Sequence, residues 1–458
     1  MYVTESQESA PHEERYAAIQ AELLSRWPES AISPSLSHMS SLMDLMGQPQ
    51  GAYPVIQVTG TNGKSSTARM IASLLRALGL RTGLYTSPHL TDMRERIEID
   101  GELIAADHFV GVVGDIAAFI ATVDTRAEQQ GEPPITFFET MTAIAYAAFA
   151  DAPVDVAVVE VGMGGTWDAT SVCHPQVSVV TRVAMDHAEF LGDRISLIAT
   201  EKSGIIKSGS YAVIALQDPE AADVLQARID EMGVASAWEG RAFEVLDRSV
   251  AVGGQMLTLR GLTGVYDEVF LPLFGRHQSL NAAVALAATE AFIGGGALSL
   301  DIDAVREGFA AVTSPGRLEV VRRGPTVIID AAHNPAGAAS LADALGEAFA
   351  FTHLVGVVAV LADKDVRGIL TALESVLDEV VVTQNNSPRR LSADDLAAMA
   401  VEIFGEDRVT IAPRLEDALD AGVRLAEEAD TYAASGVIVT GSVVTVGEAR
   451  ALLTRGDR

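Results

Sequence analysis

The stretch VTGTNGKSSTARMIASLL, residues 58–75, decides the fold. It leaves an apolar segment at Val58 and passes Gly60, Gly63 and Lys64. It then enters a pattern in which Ile71, Leu74, Leu75 and Leu78 recur at helical spacing. Glycines let backbone N–H groups face an anion, and the start of a helix adds its positive end. Gly79 is placed to end that helix. The full phosphate-loop pattern requires glycine where Val58 stands, so GTNGKS is a shorter form of it. Lys64 is expected on the β- and γ-phosphates of a nucleotide, and Ser65 on Mg²⁺. A plain glycine turn between strand and helix is the alternative, and it leaves the Lys-Ser pair without a purpose.

Outward from this loop, apolar runs alternate with helical segments. PVIQV, RTGLYT, VDVAVVEV and QVSVVTRV precede a later series of TVIIDA, HLVGVVAV, EVVVTQ, RVTIA and GVIVTG. Strand and helix in this rhythm predict parallel sheets covered on both faces. TSPGRLE, residues 313–319, interrupts a helical stretch, after which the strand series restarts. The expected organisation is a disordered segment 1–15, a phosphate-loop ATPase domain 16–312 and a smaller Rossmann-like domain 313–458. Between about residues 212 and 273 the pattern suggests antiparallel strands decorating the first domain.

The chain has 458 residues, of which 48% are hydrophobic. Its net charge of −30 argues against nucleic acid and anionic membranes as partners. No run of about 18 uncharged apolar residues is evident, so no membrane span is expected. Cys173 is the single cysteine, which excludes an internal disulfide and points to a reducing cytoplasm.

In an open parallel sheet, ligands gather beyond the carboxyl ends of the strands. YTSPHL places Ser87 and His89 at one such end. VVEVGMGGTWDAT places Glu160 and Asp168 at another, and VAMDHAEFLG adds Asp186 and His187. Converging on the phosphate loop, these residues suggest a metal–nucleotide site.

TGTNGKSS, TSPHL, ERI, FFE, EVGMGGTWDAT, EKSGIIK, HQSLN, PGRLE, DAAHNP and TGSVVTVGE occur in the order found in folylpolyglutamate synthases and dihydrofolate synthases. The chain resembles this branch of the Mur ligase superfamily over about residues 30 to 450. The resemblance implies ATP contacts at Thr61, Asn62, Gly63, Lys64, Ser65 and Ser66. It adds Asn281, Arg317 and Asp330 from across a cleft between two domains. It implies a pair of Mg²⁺ ions held through Ser65, Ser87, Glu160 and His187, with Ser65 and Ser66 both open as the hydroxyl that meets the metal. Lys202 matches a lysine that the family carbamylates, which would turn an ammonium into an anionic oxygen ligand. His333 stands beside Asp330 as a further catalytic candidate. Thr136, Phe138, Asp168 and Ala169 match the pterin pocket, where Thr166 and Ser171 replace the usual Arg and Asn.

The implied reaction is ATP-dependent addition of L-glutamate to folates through an acyl phosphate, with glutamylation of 7,8-dihydropteroate as a further capacity to be decided. The expected enzyme is a cytoplasmic monomer acting on small molecules. The glutamate pocket is not readable; His333, Lys364 and Ser442 are candidates. Another Mur-type ligase is the alternative, although only about 50 residues precede the loop, too few for a nucleotide-sugar domain. A nucleotide switch is a third reading, and ADKD at 362–365 does not supply its guanine motif.

Overall fold

The computed structural model describes residues 12–28, 34–429 and 434–454. In chain order its strands are β1 (Val55–Thr59), β2 (Thr82–Tyr85), β3 (Ile97–Ile99), β4 (Glu102–Leu103), β5 (Val156–Glu160), β6 (Val177–Val180), β7 (Tyr211–Ile214) and β8 (Ser236–Trp238). A small group follows: β9 (Glu244–Ala251), β10 (Gly254–Arg260) and β11 (Val265–Leu271). The last series is β12 (Glu319–Arg323), β13 (Thr326–Ile329), β14 (His353–Val358), β15 (Glu379–Val382), β16 (Val409–Ile411) and β17 (Ser435–Thr440).

The first sheet runs β4-β3-β2-β5-β1-β6-β7-β8, parallel from β2 to β8. Its strands β1 and β5 are buried along their whole length. Side chains on a strand alternate between faces. Accordingly Ile56, Val58, Val156 and Val158 join one core with helix Lys64–Ala77. Val55, Ala157 and Val159 join a second core with helices Ala106–Gln130 and Phe137–Asp151. Such double burial is why these strands read as continuous apolar runs. The expected antiparallel addition is present as β11-β10-β9, but it starts at Glu244; β7 and β8 before it belong to the parallel sheet.

One expectation needs correction. Helix His12–Leu24 begins inside the segment expected to be disordered, while residues 1–11 lie outside the described residues. Its Tyr16, Ile19 and Leu23 are buried against the second core, and the Tyr16 ring meets Phe109 edge-on at 5.5 Å. The acidic residues around them disguise that helical spacing. Helix Ala106–Gln130 is also long and apolar enough, by length and composition, to cross a membrane. Here Phe109, Val113, Ile116 and Ile120 make it a wall of the core.

The second sheet runs β12-β13-β17-β14-β15-β16. Helices following β13, β14 and β15 cover one face through Ala338, Ile369 and Leu396. Those following β16 and β17 cover the other through Leu415 and Val446. Neighbouring β17 and β14 therefore send their helices to opposite faces, which opens a crevice at their carboxyl ends. Asp330, Lys364 and Ser442 follow β13, β14 and β17 there. Leu318 and β12 begin this unit immediately after the loop at 313–317.

Candidate active site

β1 delivers the chain into the phosphate loop, and helix Lys64–Ala77 carries it away. Two glycines are required by shape. Gly60 has φ +148°, and a Cβ there would lie 1.8 Å from Thr181 Oγ1. Gly63 has φ +87°, and its Cβ would lie 2.5 Å from Asn281 Oδ1. The loop is fastened to the segment after β6. Thr61 Oγ1 donates to the Ala184 carbonyl and accepts from the Ala184 N–H, both at 2.9 Å. Thr181 Oγ1 donates to the Asn62 carbonyl at 2.8 Å.

Lys64 Nζ donates to the carbonyls of Gly60 and Thr61, both at 3.1 Å. Burial pulls its ammonium below the ordinary lysine range, against the attraction of Glu160 and Asp186. The two serines diverge. Ser65 Oγ donates to Glu160 Oε1 at 2.8 Å. Ser66 is buried behind the loop, 3.1 Å from Ser314 Oγ and accepting from Gln278 Nε2 at 3.3 Å. Asn281 donates to Gln278 Oε1 at 3.2 Å and so stands over Gly63.

Glu160 ends β5 fully inside the protein. Its Oε2 accepts the Ser87 N–H at 3.1 Å. Burial raises its pKa, although Lys64 and Arg317 oppose the shift. Arg317 and Asp330 come from the second domain. Asp330 accepts the N–H groups of Leu318 and Ala332, both at 2.9 Å, and so shapes the loop that bears Arg317. Burial raises the Asp330 pKa, and Arg317 opposes that.

Lys202 is buried, and its Nζ donates to the Gly60 carbonyl at 2.8 Å, sharing that oxygen with Lys64. Burial, aided by the Lys64 charge, lowers its pKa from 10.5 to about 7. His187 takes φ +50°. Burial lowers its pKa to about 4 despite Asp186, so it is a neutral imidazole near neutrality. Among the described residues, no group of three or more His, Cys, Asp or Glu side chains is placed to hold a metal. His187 lies 3.7 Å from Asp186, whereas Glu160 is bound by Ser65 and Ser87.

The pterin candidates are mostly engaged locally. Thr136 caps helix Phe137–Asp151 in a reciprocal box with Glu139. Asp168 accepts the N–H groups of Met163 and Thr170, both at 2.9 Å, and its pKa is raised by burial. Ala169 lies in the core. Phe138 alone of the four presents a half-buried ring. That ring lies against Gly162, whose added Cβ would come within 2.5 Å of it, and 6.2 Å from the Tyr85 ring.

Sequence reading named Asp186, His333 and Lys364 separately but missed that they meet, with Asn334, between the domains. Asp186 Oδ1 accepts Lys364 Nζ at 2.8 Å, and Oδ2 accepts Asn334 Nδ2 at 3.2 Å. His333 Nε2 lies 3.6 Å from Oδ2, its Nδ1 donating to the Ala331 carbonyl at 2.9 Å. Asn334 also exchanges amide hydrogen bonds with Asn62, at 3.1 and 3.3 Å. For Asn334 the signal in the sequence was its placement after a strand, within DAAHNP.

Residues 105–289 match the Mur ligase middle domain and residues 316–442 the Mur ligase glutamate ligase domain. A dihydrofolate synthase/folylpolyglutamate synthase of Mycobacterium tuberculosis is 52% identical over 94% of this chain and 92% of its own. The chain belongs to the dihydrofolate synthase/folylpolyglutamate synthase family of Mur ligases. A member from Escherichia coli is 33% identical over 91% of this chain and 90% of its own. A structure of Mycobacterium tuberculosis folylpolyglutamate synthase complexed with ADP superimposes with a TM-score of 0.92 at 51% identity, covering 97% of this chain and 99% of that one. One of Escherichia coli FolC in complex with DHPP and ADP gives 0.82 at 29% identity, covering 98% and 99%. This family member is an ATP-dependent ligase, built as a parallel-sheet domain with a phosphate loop followed by a second sheet domain.

Proposed function

We propose that the ligase joins L-glutamate to folates and also to dihydropteroate. The observation that carries this reading is the phosphate loop with Lys64 and Ser65 beside Glu160, facing second-domain groups that reach it across Asp186. The names of the Mycobacterium tuberculosis and Escherichia coli relatives, which pair both activities, support it.

ATP would lie on the loop, its phosphates against the N–H groups of Thr61 to Ser66, with Asn281, Arg317 and Asp330 as further contacts. The residues fit Mg²⁺. Glu160 is a buried carboxylate, its hydrogen bonds come from neutral donors, and its pKa is raised by burial. A hard cation among such oxygens suits it. Ser65, not Ser66, has its hydroxyl on that side. We assign the expected pair of ions to Ser65, Ser87, Glu160 and His187, with carbamylated Lys202 as an added oxygen donor. Bound there, Mg²⁺ would offset phosphate charge.

A folate carboxylate oxygen attacks the γ-phosphorus and the bond to ADP breaks. The glutamate amine, having lost its proton, then attacks the acyl carbon and phosphate leaves. Lys64 and Arg317 neutralise the transferring group, since positioning and electrostatics dominate phosphoryl transfer. Phe138 is assigned to stack on the pterin. Thr136, Asp168 and Ala169 shape its surroundings. His333 is assigned to the glutamate side. We infer a monomer, because one chain supplies both walls of the cleft, and a reducing cytoplasm, because Cys173 is a lone buried thiol.

The test incubates the protein with Mg-ATP, L-glutamate and either dihydropteroate or tetrahydrofolate, and reads product mass. Addition of glutamate residues to both is expected. ATP hydrolysis indifferent to both acceptors would overturn the reading.

A further inference from the structure

We propose that Asp186 is a positioning residue, a latch by which the first domain grips two loops of the second and ties them to the phosphate loop. This rests on the function proposed above and extends it.

The geometry is specific. Asp186 and Lys364 have side chains only 8% and 7% exposed, so their 2.8 Å ion pair is largely shielded from solvent. Lys364 follows β14 and Asn334 follows β13; the single carboxylate therefore gathers both second-domain loops. Asn334 is committed in three directions. Its Oδ1 caps helix Pro335–Ala348 by accepting the Gly337 N–H at 2.8 Å, its Nδ2 reaches Asp186, and its amide pairs with Asn62. A line of side chains thus runs from the phosphate loop through Asn334 and Asp186 to Lys364.

Asp186 and Lys364 form the charged core of this latch. Removing one partner would leave the other as a buried unpaired charge, which is far costlier than losing an exposed pair. Arg248 pairs with Glu347 and Phe274 packs 5.0 Å from Phe349 at another contact between the domains. These contacts keep the domains joined when the latch is broken, but they do not touch the phosphate loop.

Its function is to hold the glutamate-delivering domain at reacting distance from the acyl phosphate. The experiment compares wild type, Asp186→Asn, Lys364→Met and the double variant. Small-angle X-ray scattering reads domain separation, calorimetry reads ADP affinity, and kinetics reads kcat and the glutamate KM. Each single variant should expand the molecule and lower glutamate-dependent kcat/KM roughly 100-fold, the scale of a small misplacement. ADP affinity should hold. The double variant should lose less than the sum of the two single losses, because both remove the Asp186–Lys364 contact. Additive losses, or an Asp186→Asn protein with wild-type scattering and glutamate kinetics, would overturn the latch. Failure of wild type to ligate would sink the proposed function instead, while scattering would still decide the latch.

Discussion

At the scale of single residues, the lysines carry the sharpest expectations. Lys202 has a folded pKa of about 7 against 10.5 for an ordinary lysine. Between those values the unfolded chain binds a proton that the folded chain has released. Stability should therefore rise with pH through that window. Lys202→Met, uncharged throughout, should flatten the slope of urea midpoint against pH. The same neutral amine is the form that reacts with CO₂, so recovery of activity on adding bicarbonate should accelerate as pH rises through about 7. Intact mass read alongside would reveal a chain that gains no carbon dioxide, and such a result removes the carbamate. Lys64→Ala should lower kcat/KM roughly 10²–10³-fold, the effect of losing one charge-stabilising group. Its circular dichroism should match wild type, because the ammonium bonds only to carbonyls of its own loop. Lys64, Ser65 and Glu160 were legible because each follows or ends a strand in an informative order. Which serine faces Glu160 was not legible, since adjacent helix positions differ only by rotation. In the structure Ser65 turns towards it and Ser66 inward.

At the scale of elements, legibility follows burial. β1, β5, β6, β13 and β17 are buried on both faces, and their apolar runs announced them. Helix His12–Leu24 hid because the charged run Glu13–Arg15 opens it and only Tyr16, Ile19 and Leu23 recur inward. Helix Phe137–Asp151 shows how one residue can serve an element and be read as a ligand contact. Thr136 both accepts the Glu139 N–H and donates to its carboxylate. Thr136→Val should cost about 1 kcal/mol of stability, the value of such a cap. Thermal unfolding checks this, and an unchanged pterin KM in the same variant would confine Thr136 to capping. Gly162, two residues past β5, lies beneath Phe138; Gly162→Ala would place a Cβ 2.5 Å from that ring. The ring must then move, and a pterin KM several-fold above wild type is expected. An unaltered KM would place the pterin elsewhere.

At the scale of the whole molecule, TSPGRLE reads as a boundary because a turn-rich run separates two strand series, and β12 of the second sheet follows it. The contacts across that boundary could not be read, since they join residues as distant as Asn62 and Asn334, or Leu90 and Gly447. At that second pair the domains also approach closely, away from Asp186. Leu90 packs against the second domain's core, and a Cβ on Gly447 would fall 2.1 Å from the Leu90 carbonyl oxygen and 2.9 Å from its carbon. These are backbone atoms, so no side-chain rotation relieves the overlap. Gly447→Ala must either part the domains or push back the loop that brings the Ser87 N–H to Glu160. Both responses leave the phosphate loop and its helix intact. The expected variant unfolds about 1–3 kcal/mol more easily, in line with overpacking. It binds ADP as wild type does and ligates at least several-fold more slowly. Calorimetry with ADP and steady-state ligation on one preparation decide the matter. Wild-type turnover would mean that the domains can separate at Leu90 without disturbing the chemistry, whereas weakened ADP binding would mean that the strain travels back to Lys64.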